Sequence, residues 1–208
     1  MSRPLLALLV VLAAAIALAA GVAAQDGTPS TGAAECTVEP YDLTTVLEPS
    51  DGSPAAAASP ESAPTERPSG EPADEAVVAA VTETVEQIIG CINQGYQIRV
   101  LFLFTPDYIR RFVAEFAGPL TEEEIAQLNE LAASEEPQGP LPEDQQTILR
   151  SIEDVEVLED GRVVATVIGD DRAEPGGPNP IYFIFDEVDG RYLIDGVIDP
   201  QPDGTPEA

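Results

Sequence analysis

Two hydrophobic periods divide the chain. Over residues 73–133 large apolar side chains return every three or four positions, while over residues 146–199 they come in dense short runs broken by Asp-Gly pairs. In the first region, residues 73–94 carry Val77, Val81, Val85, Ile88 and Ile92 as one helical stripe. Asp74 and Glu75 stand at its start, where the helix dipole favours acids, and Gly95 stands just past its end. Residues 97–104 are apolar nearly all round, which predicts a short helix buried on several sides. Thr105, Pro106 and Asp107 read as a helix start, with Thr as N-cap and Pro in the first helical position. Ile109, Phe112, Val113 and Phe116 follow at helical spacing until Gly118 and Pro119 stop the run. Thr121 and Glu124 make a capping-box pattern ahead of Ile125, Leu128 and Leu131, and the Pro-rich residues 134–142 cross to the second region.

The second region predicts four consecutive strands. Residues 148–158 and 162–169 flank Asp160-Gly161, and residues 181–188 and 191–199 flank Asp189-Gly190. Asp-Gly between apolar runs predicts a type I′ hairpin turn, in which both central residues take positive φ. Residues 170–180, with Gly176-Gly177 and several prolines, are too long for a tight turn and predict a mobile flap at one end of the sheet. The fold class is therefore α+β, three to four helices packed on a four-stranded antiparallel meander. Residues 181–185 are apolar on both alternating faces, and residues 192–198 nearly so. One face belongs under the helices; the other calls for a cover, which predicts a homodimer packed sheet to sheet.

Outside this domain, placed at residues 72–201, the patterning changes. Ser2-Arg3 followed by the apolar residues 4–20 has the layout of a secretory signal over residues 1–24, with cleavage before Gln25. An uncleaved membrane anchor is the alternative, because the run nears the span of a bilayer. Either way the expected location is secreted or extracytoplasmic. In such a compartment Cys36 and Cys91, the two cysteines, are expected to pair. The closed loop would contribute about 4 kcal/mol through chain entropy. The bond would tether residues 25–47 as an N-terminal arm, with Val38, Tyr41, Leu43 and Val46 packing on the helical layer. Residues 48–71, rich in Pro, Ser, Ala and Glu, read as a disordered linker, and residues 202–208 as a disordered tail.

Charge and missing residue types narrow the chemistry. Asp plus Glu number 38 against 9 Lys plus Arg, a net charge of −29, and this balance excludes nucleic acid and anionic membrane surfaces as partners. Histidine is absent, which removes every Ser-His or Cys-His nucleophile pair and the commonest metal ligand. Neither residues 186–190 nor Glu153-Asp154 has the ligand spacing of a calcium loop, and no cysteine cluster suits zinc, so neither a metal nor a cofactor is expected.

The passage from Cys91 to Asp107 resembles the "N-x-G-D, then L-F-T-x-D" segment of the NTF2-like (SnoaL-like) superfamily, and residues 189–195 are similar to its "D-G-x-W-x-I-D" closing strand. Tyr96 stands where the family often has Asp, and Tyr192 where it has Trp. The resemblance covers residues 73–199 and implies a cone, with helices closing over the concave face of the sheet. It implies no particular activity. Enzymes on this fold work inside the cone with an Asp–His pair or a Tyr–Asp set. The first needs a histidine, and for the second the available residues are Tyr96, Tyr108, Asp107 and Asp195. The candidate ligand-binding residues are Phe104, Tyr108, Phe112, Phe183 and Phe185, with Phe116 nearby, as the lining of a pocket for a small apolar ligand. The leading expectation is an exported non-enzymatic binding or interaction module. The alternatives are an isomerase or cyclase using Tyr–Asp chemistry and a structural envelope protein.

Overall fold

Antiparallel pairing runs through the sheet without a crossover. The structure, a computed structural model, describes residues 35–47, 66–172 and 178–200. The expected signal segment and its cleavage position, the linker over 48–65, residues 173–177 of the expected flap and the tail beyond Pro200 lie outside the described residues.

In chain order the elements are α1 (Thr44–Leu47), β1 (Glu71–Pro72), α2 (Glu75–Gln94), a 3-10 helix (Arg99–Leu103), α3 (Pro106–Phe116), α4 (Glu122–Ser134), a 3-10 turn (Glu143–Gln145), β2 (Thr147–Val157), β3 (Val163–Asp171), β4 (Asn179–Val188) and β5 (Arg191–Ile198). The sheet is five-stranded in the order β1-β2-β3-β4-β5. The expected four-stranded meander is thus one strand short. Glu71 and Pro72 pair with Val157 and Glu156; Glu71 is the last residue of the expected linker and Pro72 the first of the expected domain, where no strand was expected. Two residues are too few to show an alternating pattern. Tertiary contacts hold them in place: the Gly70 N–H donates to Glu156 Oε2 at 2.9 Å, and Arg67 pairs with the same carboxylate at 3.0 Å.

The helix ends follow local chemistry. Asp74 accepts from the Val77 N–H, Thr105 from the Tyr108 N–H with Pro106 in the first turn, and Thr121 and Glu124 complete both halves of the capping box. The two hairpins differ. At Asp189-Gly190 both residues have positive φ, as a type I′ turn requires. Between β2 and β3, Gly161 is at φ 89° while Asp160 is not positive. There the Gly161 N–H donates to Leu158 O and the Leu158 N–H to Arg162 O, so the loop holds three residues and Gly161 forms a bulge after an ordinary turn. Glu159, the extra residue, changes the turn type.

The helices cover one face of the sheet. On that side Val163, Ala165 and Val167 of β3, Phe185 and Ile194 join Val81, Val85, Ile88, Phe102 and Leu128 in the main core. On the other face Val164, Ile184 and Ile198 are buried, with Leu158 and Tyr182 packed against them. Register shifts interrupt β2 twice and the β4–β5 pair once. Such bulges bend and twist strands, which curves the sheet. Asn93 of α2 joins the layers like a piece of strand, donating to Thr147 O at 2.8 Å and accepting from Thr147 N–H at 2.9 Å.

Cys36 and Cys91 form the disulfide, with 4.5 Å between their Cα atoms. Bonds of this kind persist in oxidising surroundings. The arm it tethers does pack on the helical layer, with Val38, Leu43 and Val46 buried. Among the described residues no helix is long and apolar enough to cross a membrane.

Candidate functional site

A cavity of about 220 Å³ lies between the helices and the C-terminal half of the sheet. α2 contributes Ile88 and Ile92, the 3-10 helix Val100 and Leu101, and the strand-like link after it Phe104. Tyr108, Ile109 and Phe112 come from α3, Ile181 and Phe183 from β4, and Val197 from β5. Val197 is 38 % exposed and marks the open side of the cavity. A cavity of about 150 Å³ suffices for benzene, and drug-sized ligands occupy about 300–1,000 Å³, so this one suits a molecule between those limits.

Helical spacing on α3 aligns Tyr108, Phe112 and Phe116, and Phe104 extends the aromatic wall from the extended link just before the helix. Phe104, Tyr108, Phe112 and Phe116 repeat every four residues, with ring centroids 4.8, 6.3 and 4.8 Å apart in succession. Phe116 lies outside the lining and is 48 % exposed. The other side of α3 presents Ile109 and Val113 to Val46 of the arm. Four of the five candidate ligand-binding residues, Phe104, Tyr108, Phe112 and Phe183, therefore meet at one cavity. Phe185 does not line it. Two residues further along β4, it is fully buried in the main core and meets Phe183 edge to face at 6.1 Å.

α3 is anchored at a β5 bulge. Ile194 pairs with Phe185 and Gly196 with Ile184, which leaves Asp195 as the extra residue. Its Oδ1 accepts from Thr105 Oγ1 at 2.8 Å and lies 3.4 Å from Arg111, and its Oδ2 lies 3.2 Å from Arg162. The Arg111 guanidinium also donates to the Asp195 carbonyl at 2.7 Å, and the Thr105 N–H to Ile194 O at 2.8 Å. The Thr105 hydroxyl accepts in turn from the Tyr108 N–H at 3.0 Å, so one side chain caps α3 and ties it to the sheet.

The residues considered for Tyr–Asp chemistry are dispersed. Asp107 is exposed and pairs with Arg110, and Asp195 is held by Thr105 and the two arginines rather than turned into water at the sheet edge. Tyr96 lies under the Arg99 guanidinium, 4.6 Å from its ring centroid. Tyr108 supplies the one polar side chain among the lining residues, and no carboxylate is among them. Burial pushes the Tyr108 phenol above its ordinary value, with Arg111 opposing and Glu115 adding to the shift, so the hydroxyl stays neutral and able to donate. Among the described residues no cluster of three or more His, Cys, Asp or Glu side chains is placed to hold a metal.

Sequence reading missed the aliphatic half of the lining, because Ile88 and Ile92 belong to a stripe that packs as core over most of its length. It also missed the Asp195–Arg111–Arg162 cluster. Nothing local marks a pairing across 84 and 33 residues of chain. Comparison of the chain with protein-family models, with curated proteins and with solved structures returns no match, so the reading of this site rests on its own geometry.

Proposed function

We propose that this chain is an exported NTF2-like binding module whose cavity takes a small uncharged apolar molecule. The observation that supports this most is the lining: ten apolar side chains and one neutral phenol around an open cavity. Apolar transfer drives entry of such a ligand, at about 25 cal/mol per Å² removed from water, while a carboxylate or phosphate ligand would be repelled by the net charge of −29. The bulged, curved sheet under a helical layer is consistent with the cone that the family resemblance implies. Export is supported by the disulfide and by the N-terminal apolar pattern. A homodimer through the sheet's second face has less apolar surface behind it, since Val164, Ile184 and Ile198 are already buried there.

The test is titration with N-phenyl-1-naphthylamine, a neutral apolar probe that fluoresces in dry sites. Wild-type protein is expected to enhance its fluorescence saturably. Val197→Trp, which fills the open side from an exposed position, is expected to abolish the enhancement while leaving the far-ultraviolet circular dichroism unchanged. Absence of wild-type binding, or binding that Val197→Trp leaves intact, would refute the proposal. Native mass spectrometry of the same sample reads the dimer directly.

A further inference from the structure

The arm over residues 35–47 reaches the helical layer from a distant part of the chain and touches three helices. On α2, Cys36 is bonded to Cys91 and the Gln87 side chain accepts from the Thr37 N–H at 3.0 Å. On α4, Asn129 accepts from the Leu43 N–H at 2.8 Å and donates to Asp42 at 2.8 Å and Thr44 at 3.0 Å. On α3, Arg110 Nε donates to the Val46 carbonyl at 3.0 Å.

Val46, Ile109 and Val113 form one buried cluster, with Phe104 packed against it. Ile109 and Phe104 also line the cavity. These side chains therefore separate the cavity from the arm by the thickness of one residue. α3 packs against α1 of the arm on one side and β5 on the other. With the arm gone, the Ile109–Val113 face would meet water, and the wall carrying Tyr108 and Phe112 would lose its backing.

We infer that the arm is a strap, covalently held by Cys36–Cys91, that sets the position of α3 and thereby the affinity of the cavity for its ligand. This rests on the binding reading above and adds a control to it. The strap's disulfide and the hydrogen bonds named above go to the helices, while Val38 and Leu43 also join the core that the sheet shares, so loosening it is expected to act first on the Val46 end, which packs on α3. Loosening it converts a formed cavity into one that must be ordered at each binding event, which lowers apparent affinity by the fraction of molecules in the formed state.

Hydrogen exchange and probe titration on wild type, on Cys36→Ser/Cys91→Ser and on Val46→Ala test the inference. In both variants the amides of residues 109–113 are expected to exchange about tenfold faster, while those of residues 163–167 stay protected and report an intact sheet. Probe affinity is expected to fall about tenfold in parallel. The Val46→Ala variant keeps the disulfide, so it separates the strap's packing from any folding defect of the cysteine variant. Unchanged α3 exchange in both variants, or faster exchange with undiminished affinity, overturns the inference. Failure of wild type to bind the probe would refute the binding reading instead, with α3 exchange still deciding whether the arm is a strap.

Discussion

Asp195 concentrates more of the site's geometry than any residue that touches the cavity. Its side chain is 14 % exposed, and its carboxylate joins Thr105 at the start of α3, Arg111 further along the same helix and Arg162 after the β2–β3 turn. The arginines are more exposed than the carboxylate, so water screens much of their contribution. The hydrogen bond from the buried Thr105 hydroxyl is the stronger part. Asp195→Ala removes the acceptor and is expected to cost about 2 kcal/mol, the scale of a charged hydrogen bond left without its partner. Asp195→Asn keeps an oxygen for Thr105 and is expected to cost about half as much. Urea unfolding of the two variants checks both values, and equal costs would show that the arginine pairs, not the Thr105 bond, carry the anchor.

At the scale of elements, the least regular piece is the edge segment of residues 66–72. Besides the β1–β2 pairing, β2 holds it through the Glu156 carboxylate, which accepts from the Gly70 N–H and from Arg67, and through the Asp154 carbonyl, which also accepts from Arg67. Gly70 is required for steric reasons, because a Cβ there would lie 2.2 Å from Val157 O. The Gly70 hydrogen bond, with help from Arg67, holds the Glu156 carboxyl below its ordinary value. A depressed folded pKa gives stability that is present above the unfolded value and lost as pH falls through the folded one. Acidification through the carboxylate range is therefore expected to release the β1 edge before the rest of the sheet. Amide exchange at Gly70 and Glu71 reports this, and Glu156→Gln is expected to reproduce the release at neutral pH. An edge that stays protected in Glu156→Gln at neutral pH would contradict this assignment.

For the whole molecule, charge balance outweighs any single contact. Six of the eight arginines among the described residues form ion pairs, yet those pairs are partly exposed and contribute about 0–1 kcal/mol each. Against them stands the mutual repulsion of a chain with 38 acids and 9 bases. Salt weakens both effects, but the repulsion acts at long range and is screened most, over a Debye length of about 10 Å at 0.1 M. Raising sodium chloride from about 10 mM to about 0.3 M is expected to raise Tm by a few degrees. A Tm that falls with salt would mean that the ion pairs, not the repulsion, govern stability.

Local sequence was enough to specify the starts of α2, α3 and α4, the hairpin positions, the runs of β2 to β5 and the disulfide, but not the short α1 of the arm. Each depends on neighbours within a few residues, as Thr105, Thr121 and Asp189-Gly190 do, or, for Cys36 and Cys91, on there being one possible pair. Part of the aromatic wall was legible too, since Tyr108 and Phe112 stand four residues apart on one helix, whereas Phe104 joins them from the extended link before it. Only the folded molecule settles that Phe185 is core and Phe183 lining, because both face the same side of β4 and the position of the helices above them is what differs. The same holds for Glu71–Pro72 as a strand, for Asp195 as a bulge held by two distant arginines, and for Ile109 standing between arm and cavity. Periodicity says which side of an element is apolar; what that side meets is set by contacts between residues far apart in the chain, and those leave no local mark.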